Sequence, residues 1–109
     1  MADPKIVKLE TKEAYQRLLG GVPDTLGMKS GCVTLEPGGS VGEHSTGSKE
    51  EAIIILQGKG ELSCNGEILA TAEENSLIYV PPGTRHDVKN TGTGVLKYVY
   101  VVSPVNVDA

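Results

Sequence analysis

Residues 38–58 read GGSVGEHSTGSKEEAIIILQG, a glycine-rich stretch around one histidine that runs into an unbroken aliphatic segment, Ala52 to Leu56. An apolar run of that length, bounded by Glu50-Glu51 on one side and Gln57-Gly58 on the other, reads as a strand covered on both faces. Residues 75–90 read NSLIYVPPGTRHDVKN and repeat the arrangement in reverse: a short strand, a rigid Pro81-Pro82-Gly83 turn, then a second histidine. Working outward, strand-like stretches are expected at 31–35, 52–56, 60–64, 67–70, 77–80, 86–90 and 95–102, separated by Gly, Pro and Asn. That spacing predicts an all-β sandwich or barrel. Asn65-Gly66 predicts a two-residue hairpin, because both residues tolerate positive φ. One helix is expected, with Thr11 as N-cap for Lys12 to Leu19 and the pair Gly20-Gly21 as its stop.

The composition fits such a chain. Its 109 residues suffice for one core, and 39% hydrophobic with 22% charged residues predicts a soluble globular domain. Fourteen glycines and six prolines, with no Phe or Trp, favour short strands over long helices. A net charge of -4 with scattered lysines offers no basic stripe for a phosphate backbone, so nucleic acid is not an expected partner. No apolar run reaches the roughly 18–20 residues that cross a bilayer, and Met1 to Lys8 lacks the apolar core of a secretory signal. A cytoplasmic protein that does not engage membranes is expected. Cys32 and Cys64 form no C-x-x-C pair and are expected to be reduced thiols.

The chain has two histidines, and the residues around each are regularly spaced. The first segment runs Gly38, His44, Thr46, Glu51, Gly58; the second runs Asn75, Pro81, Gly83, His86, Asn90. These segments resemble the paired motifs of the cupin family, in which a glycine-histidine-histidine-glutamate-glycine pattern precedes a glycine-proline-glycine-histidine-asparagine pattern. Thr46 stands where the family has its second histidine, and Asn75 where it has glycine. The resemblance covers residues 38–90 and implies a cupin-type antiparallel β-barrel (a double-stranded β-helix, or jelly roll) with its site inside. On that reading residues 1–30 are an N-terminal segment whose short helix packs on the barrel, 31–103 the barrel domain, and 104–109 a tail.

In extended chain, residues two apart share a face. Glu51 therefore aligns with Ile53 and Ile55, and His86 with Val88 and Asn90, so one inward face can gather His44, Glu51 and His86. Two imidazoles and a carboxylate suffice to hold one divalent transition metal ion, Fe, Mn, Ni, Zn or Cu, with positions left open. Glu50 is the rival carboxylate, but the alternation with Ile53 and Ile55 favours Glu51. Thr46 is a far weaker donor than imidazole and is expected to bind water, substrate or a neighbouring group instead. Cys64, Tyr98 and Tyr100 are further candidates to line the pocket. The expected function is a metal-dependent, dioxygenase-like enzyme acting on a small polar or organic-acid molecule. The alternative is a non-catalytic cupin module that binds a metal or small ligand. The apolar outer faces of 52–56 and 95–102 need cover, and a homodimer is expected to supply it.

Overall fold

The computed structural model describes residues 3–10 and 13–105, which form eight strands. They are β1 (Tyr15–Gly20), β2 (Lys29–Leu35), β3 (Lys49–Gln57), β4 (Lys59–Cys64), β5 (Glu67–Glu73), β6 (Ser76–Val80), β7 (Asp87–Asn90) and β8 (Leu96–Pro104). Two antiparallel sheets result: a five-stranded one in the order β1-β2-β8-β3-β6 and a three-stranded one in the order β5-β4-β7. Among the described residues no helix is long and apolar enough to cross a membrane.

Two sequence expectations are corrected here. No helix is present among the described residues, and the stretch assigned to one is β1, paired antiparallel with β2 from Tyr15↔Val33 to Gly20↔Lys29. Helix propensity is a weak prior, and a single short helix gains little without a face to bury. Pairing along β2 satisfies an edge that would otherwise be bare and seats Tyr15 against Tyr100, with ring centroids 6.4 Å apart. Thr11, the expected N-cap, and Lys12, the expected first residue of that helix, lie outside the described residues, as do residues 106–109 of the expected tail. The expected closed barrel and jelly roll are also overturned, because no sheet closes and each keeps two edges. The segment from Glu36 to Ser48, which would extend the smaller sheet beyond β7, runs beside it with scattered backbone bonds and forms two isolated bridges, Ser40↔Lys89 and His44↔His86, in place of a continuous ladder. Its glycines explain this: Gly38, Gly42 and Gly47 all have positive φ, which breaks a regular ladder.

The core lies between the two inner faces. The larger sheet contributes Val33, Ile53, Ile55, Val80, Leu96 and Tyr98, and the smaller contributes Leu62 and Val88. Alternation along β3 places Glu51, Ile53 and Ile55 inside. Two turns show why their residues are needed. The β4–β5 hairpin turns on Asn65 and Gly66 with φ of 52° and 79°, the left-handed pair its sequence predicts. Gly58 has φ of 86°, and a Cβ there would lie 2.3 Å from the Val95 carbonyl oxygen, so no larger residue fits.

Asn90 is buried at the end of β7. Its side-chain amide donates to the Leu35 and Gly94 carbonyls at 2.9 and 2.8 Å, and its oxygen accepts from the Gly92 N–H at 2.9 Å. Asn90→Ala leaves those buried groups without partners and is expected to cost about 2–4 kcal/mol, read as a lower midpoint in urea unfolding. A midpoint unchanged from wild type would contradict this account of Asn90.

Candidate metal centre

The site begins with a backbone contact. His44 and His86 face each other as an antiparallel bridged pair, each N–H donating to the other's carbonyl at 2.8 Å. That bridge sets the two imidazoles side by side, with ring centroids 4.5 Å apart. The third group comes from the opposite sheet, where Glu51 on β3 points inward between Val80 and Val102. His44, Glu51 and His86 each offer one donor atom, and these atoms lie within 4.8 Å of one another.

Local hydrogen bonds orient the rings. His44 Nδ1 lies 2.9 Å from the Gly42 carbonyl, and His86 Nδ1 lies 2.9 Å from the Thr84 carbonyl. A carbonyl only accepts, so each Nδ1 carries a proton and each Nε2 is left to face the site. His86 Nε2 is 2.8 Å from Glu51 Oε1, with His86 fully buried and Glu51 5% exposed. The Glu51 carboxylate holds the His86 imidazole above its ordinary pKa, against the opposing effect of burial. The proton between them is the one an incoming cation would displace. The donor chemistry fits a divalent first-row ion: two imidazole nitrogens with the tautomer fixed, and one buried carboxylate.

The surroundings separate the residues expected at the site. Glu50 lies outside it and accepts from the Tyr79 hydroxyl at 2.8 Å. Thr46 borders the cavity, but its hydroxyl donates to the Lys49 carbonyl at 2.9 Å. Tyr98 and Tyr100 line a cavity of about 590 Å³ together with His44 and Glu51, whereas Cys64 is not among its lining residues. Sequence reading missed two contributors. Tyr15 reaches the cavity because β1 is a strand, and its hydroxyl is 2.6 Å from that of Tyr100. Glu43 accepts from Arg85 Nε at 2.8 Å and from the Asn65 N–H at 2.9 Å, which ties both histidine segments to the β4–β5 hairpin. These two bonds, the backbone one foremost, hold the Glu43 carboxyl below its usual range. The sequence held only a partial signal: Glu43 and Arg85 each stand next to a histidine, but the antiparallel bridge sets Glu43 opposite Asp87, so the Glu43–Arg85 contact is a diagonal one that register alone does not give.

Comparison with known proteins agrees with this architecture. The family model described as "Cupin domain" matches residues 31–102. The chain is 26% identical over 110 residues to "Polyketide synthase CurC" of Streptomyces cyaneus, spanning 94% of this chain and 71% of that one. It is 29% identical over 86 residues to "Tetracenomycin polyketide synthase protein TcmJ" of Streptomyces glaucescens, spanning 76% and 57%. The solved structure of a "Cupin 2 conserved barrel domain protein" from Salinispora arenicola superposes with a TM-score of 0.73 at 24% identity, over 94% and 91% of the two chains.

The buried His86–Glu51 contact makes a stability prediction. Glu51→Gln keeps the volume and offers an amide donor to Nε2, so its unfolding free energy is expected to stay within about 1 kcal/mol of wild type. Glu51→Ala strips His86 of its partner and opens a void, at an expected cost of about 2–4 kcal/mol. Equal losses in the two variants, measured by chemical unfolding, would contradict the hydrogen-bonding account.

Proposed function

The chain belongs to the cupin family, and from that premise we propose that it is a metal-dependent, dioxygenase-like enzyme acting on a small molecule, with His44, Glu51 and His86 as ligands of one divalent transition metal ion. The observation that carries this reading is the convergence of three donor atoms within 4.8 Å of one another, with His44 and Glu51 lining one cavity and the fully buried His86 bonded to Glu51. A first-row ion held there would supply Lewis acidity and redox chemistry toward dioxygen at the positions the three side chains leave open.

The chain's own residues divide the remaining work. Glu51 and His86 are buried and fix one side of the site, while His44 is exposed and stands at its mouth. Ligands enter past His44. Val33, Leu35, Val88 and Val102 wall the cavity and exclude water from the reacting groups. The polyketide synthase names of the two Streptomyces relatives support a small organic substrate rather than a macromolecule.

Protein purified without chelators is expected to bind one divalent ion per chain in calorimetric titration. A hundredfold excess of ion over its Kd should stabilise the fold by about 2.7 kcal/mol. Glu51→Gln and His86→Gln should each weaken binding at least about tenfold. Failure of manganese, iron, nickel, copper and zinc all to bind would overturn the metal reading. Given a bound metal, oxygen uptake with a panel of small phenols, diketones and acids tests the enzyme reading. Ligands that bind and are never consumed would make the domain a binding module.

A homodimer is proposed through the outer face of the larger sheet. Leu77 and Tyr79 of its edge strand β6 are 64% and 56% exposed, beside Ile54 and Ala52 of β3. Sedimentation equilibrium should give a dimer for wild type and a monomer for Leu77→Lys. A monomeric wild type would refute it.

A further inference from the structure

The rim of the cavity carries a polar group that the three candidate ligands do not use. Tyr15 and Tyr100 both line the cavity, and their hydroxyls lie 2.6 Å apart. The two rings come from β1 and β8 and meet across β2, stacked at an interplanar angle of 20°. They meet over Gly31, the residue of β2 that pairs with Arg17 on one side and Tyr100 on the other. A Cβ at Gly31 would lie 2.7 Å from the Tyr100 ring and 2.8 Å from the Tyr15 ring, so glycine is what lets them close. Glycine inside a strand weakens it and marks a place where other groups approach closely.

Two hydroxyls hold two protons, and the bond between them uses one. The other is free for a third group, and the hydroxyl that accepts within the pair becomes the stronger donor outward. Burial and the bond to Tyr15 hold the Tyr100 hydroxyl above its ordinary pKa, with the Glu51 charge adding to the rise, so at neutral pH it stays protonated. Tyr100 lies opposite Ile53 on β3, two residues along that strand from Glu51. That offset is about 7 Å, a distance that one substituted ring covers. At the other end, a divalent ion on two neutral imidazoles and one carboxylate keeps one positive charge, which an anionic oxygen neutralises. Glu43, the remaining carboxylate of the lining, is already paired with Arg85.

We propose that Tyr15 and Tyr100 act together as the specificity group of the cavity, their spare proton binding an acceptor oxygen on the end of the ligand remote from His44, Glu51 and His86. The ligand class that fits is an organic molecule about one ring long, with an anionic oxygen donor at one end and a carbonyl-type oxygen at the other. The anionic end rests on the metal reading. The tyrosine end does not.

Two catechols separate the ends. 3,4-Dihydroxyacetophenone carries a carbonyl remote from its two ring oxygens, and 4-ethylcatechol has the same outline without that acceptor. Calorimetric titration uses zinc-loaded protein, since zinc is redox-inert and leaves both catechols intact. The Tyr15→Phe/Tyr100→Phe double variant should lose about tenfold for the ketone and less than about twofold for 4-ethylcatechol, with zinc content unaltered. Each single variant should lose only about two- to threefold for the ketone, because the surviving hydroxyl still donates. A pair that merely fastens β1 to β8 would weaken both catechols alike. Equal losses for the two catechols, or a ketone that binds wild type no tighter than the double variant, would overturn the assignment. Should the double variant not fold, the single variants decide by the same comparison. Zinc uptake is titrated first. If the chain takes up none, the catechol hydroxyls still have Glu51 and His44 to bond, and the same comparison proceeds on metal-free protein, so the two readings fail separately.

Discussion

The pair of backbone hydrogen bonds between His44 and His86 is the constraint on which the site depends. A side chain placed by backbone pairing is held by covalent geometry rather than by its own rotamer preferences, so two imidazoles on facing residues arrive together without further instruction. The bridge is isolated, however, with irregular chain on the His44 side. It needs support from elsewhere. The Glu43–Arg85 pair and the bond from the Asn65 N–H fasten the same segments one residue earlier. Exposed ion pairs add little stability, and here the backbone donor from the hairpin is the better anchor because it costs no side-chain entropy.

The third ligand candidate is a matter of sheet packing. Glu51 belongs to the larger sheet and His86 to the segment entering the smaller one, so their 2.8 Å contact joins the two layers through the core. Burial of such a pair carries a desolvation cost that hydrophobic replacements would avoid. Its persistence among Ile53, Ile55 and Val80 is better explained by the site than by stability. Asn90, which lies four residues beyond His86 and pins three backbone groups, shows how the purely structural need is met when no chemistry is required.

Much of this was legible in the sequence, for reasons that differ from residue to residue. The interior β3 and β8 strands announced themselves through uninterrupted aliphatic runs, and Asn65-Gly66 through backbone chemistry alone. Asn75, standing where a cupin motif has glycine, adopts φ of 68°, a conformation asparagine tolerates nearly as well as glycine, so the departure preserves the turn. Glu51 could be preferred over Glu50 because side chains alternate along a strand, and the structure puts Glu51 inside and Glu50 on Tyr79. The β1 strand was not legible. Tyr-Gln-Arg-Leu-Leu is composed of adequate helix formers, and its fate is set by an unpaired edge of β2 that no local pattern reveals. Sheet closure was equally hidden, since it depends on whether residues 36–48 complete a ladder, and the glycines that forbid it are the same ones that read as ordinary turns.

The misread strand matters most for function. As a helix, residues 12–19 would have packed outside the core and left the cavity bounded by β2 and β8 alone. As strand β1, Tyr15–Gly20 carries Tyr15 to the rim, where its hydroxyl meets Tyr100 and its ring covers Gly31. In a joined pair of hydroxyls one donates to the other, and the second proton remains available to a further acceptor. The rim therefore keeps one hydrogen-bond donor whichever way the pair is oriented, and the buried Tyr98 keeps another deeper in. The cavity thus offers neutral donors beside aliphatic walls, and the two carboxylates that border it, Glu43 and Glu51, are already engaged by Arg85 and His86.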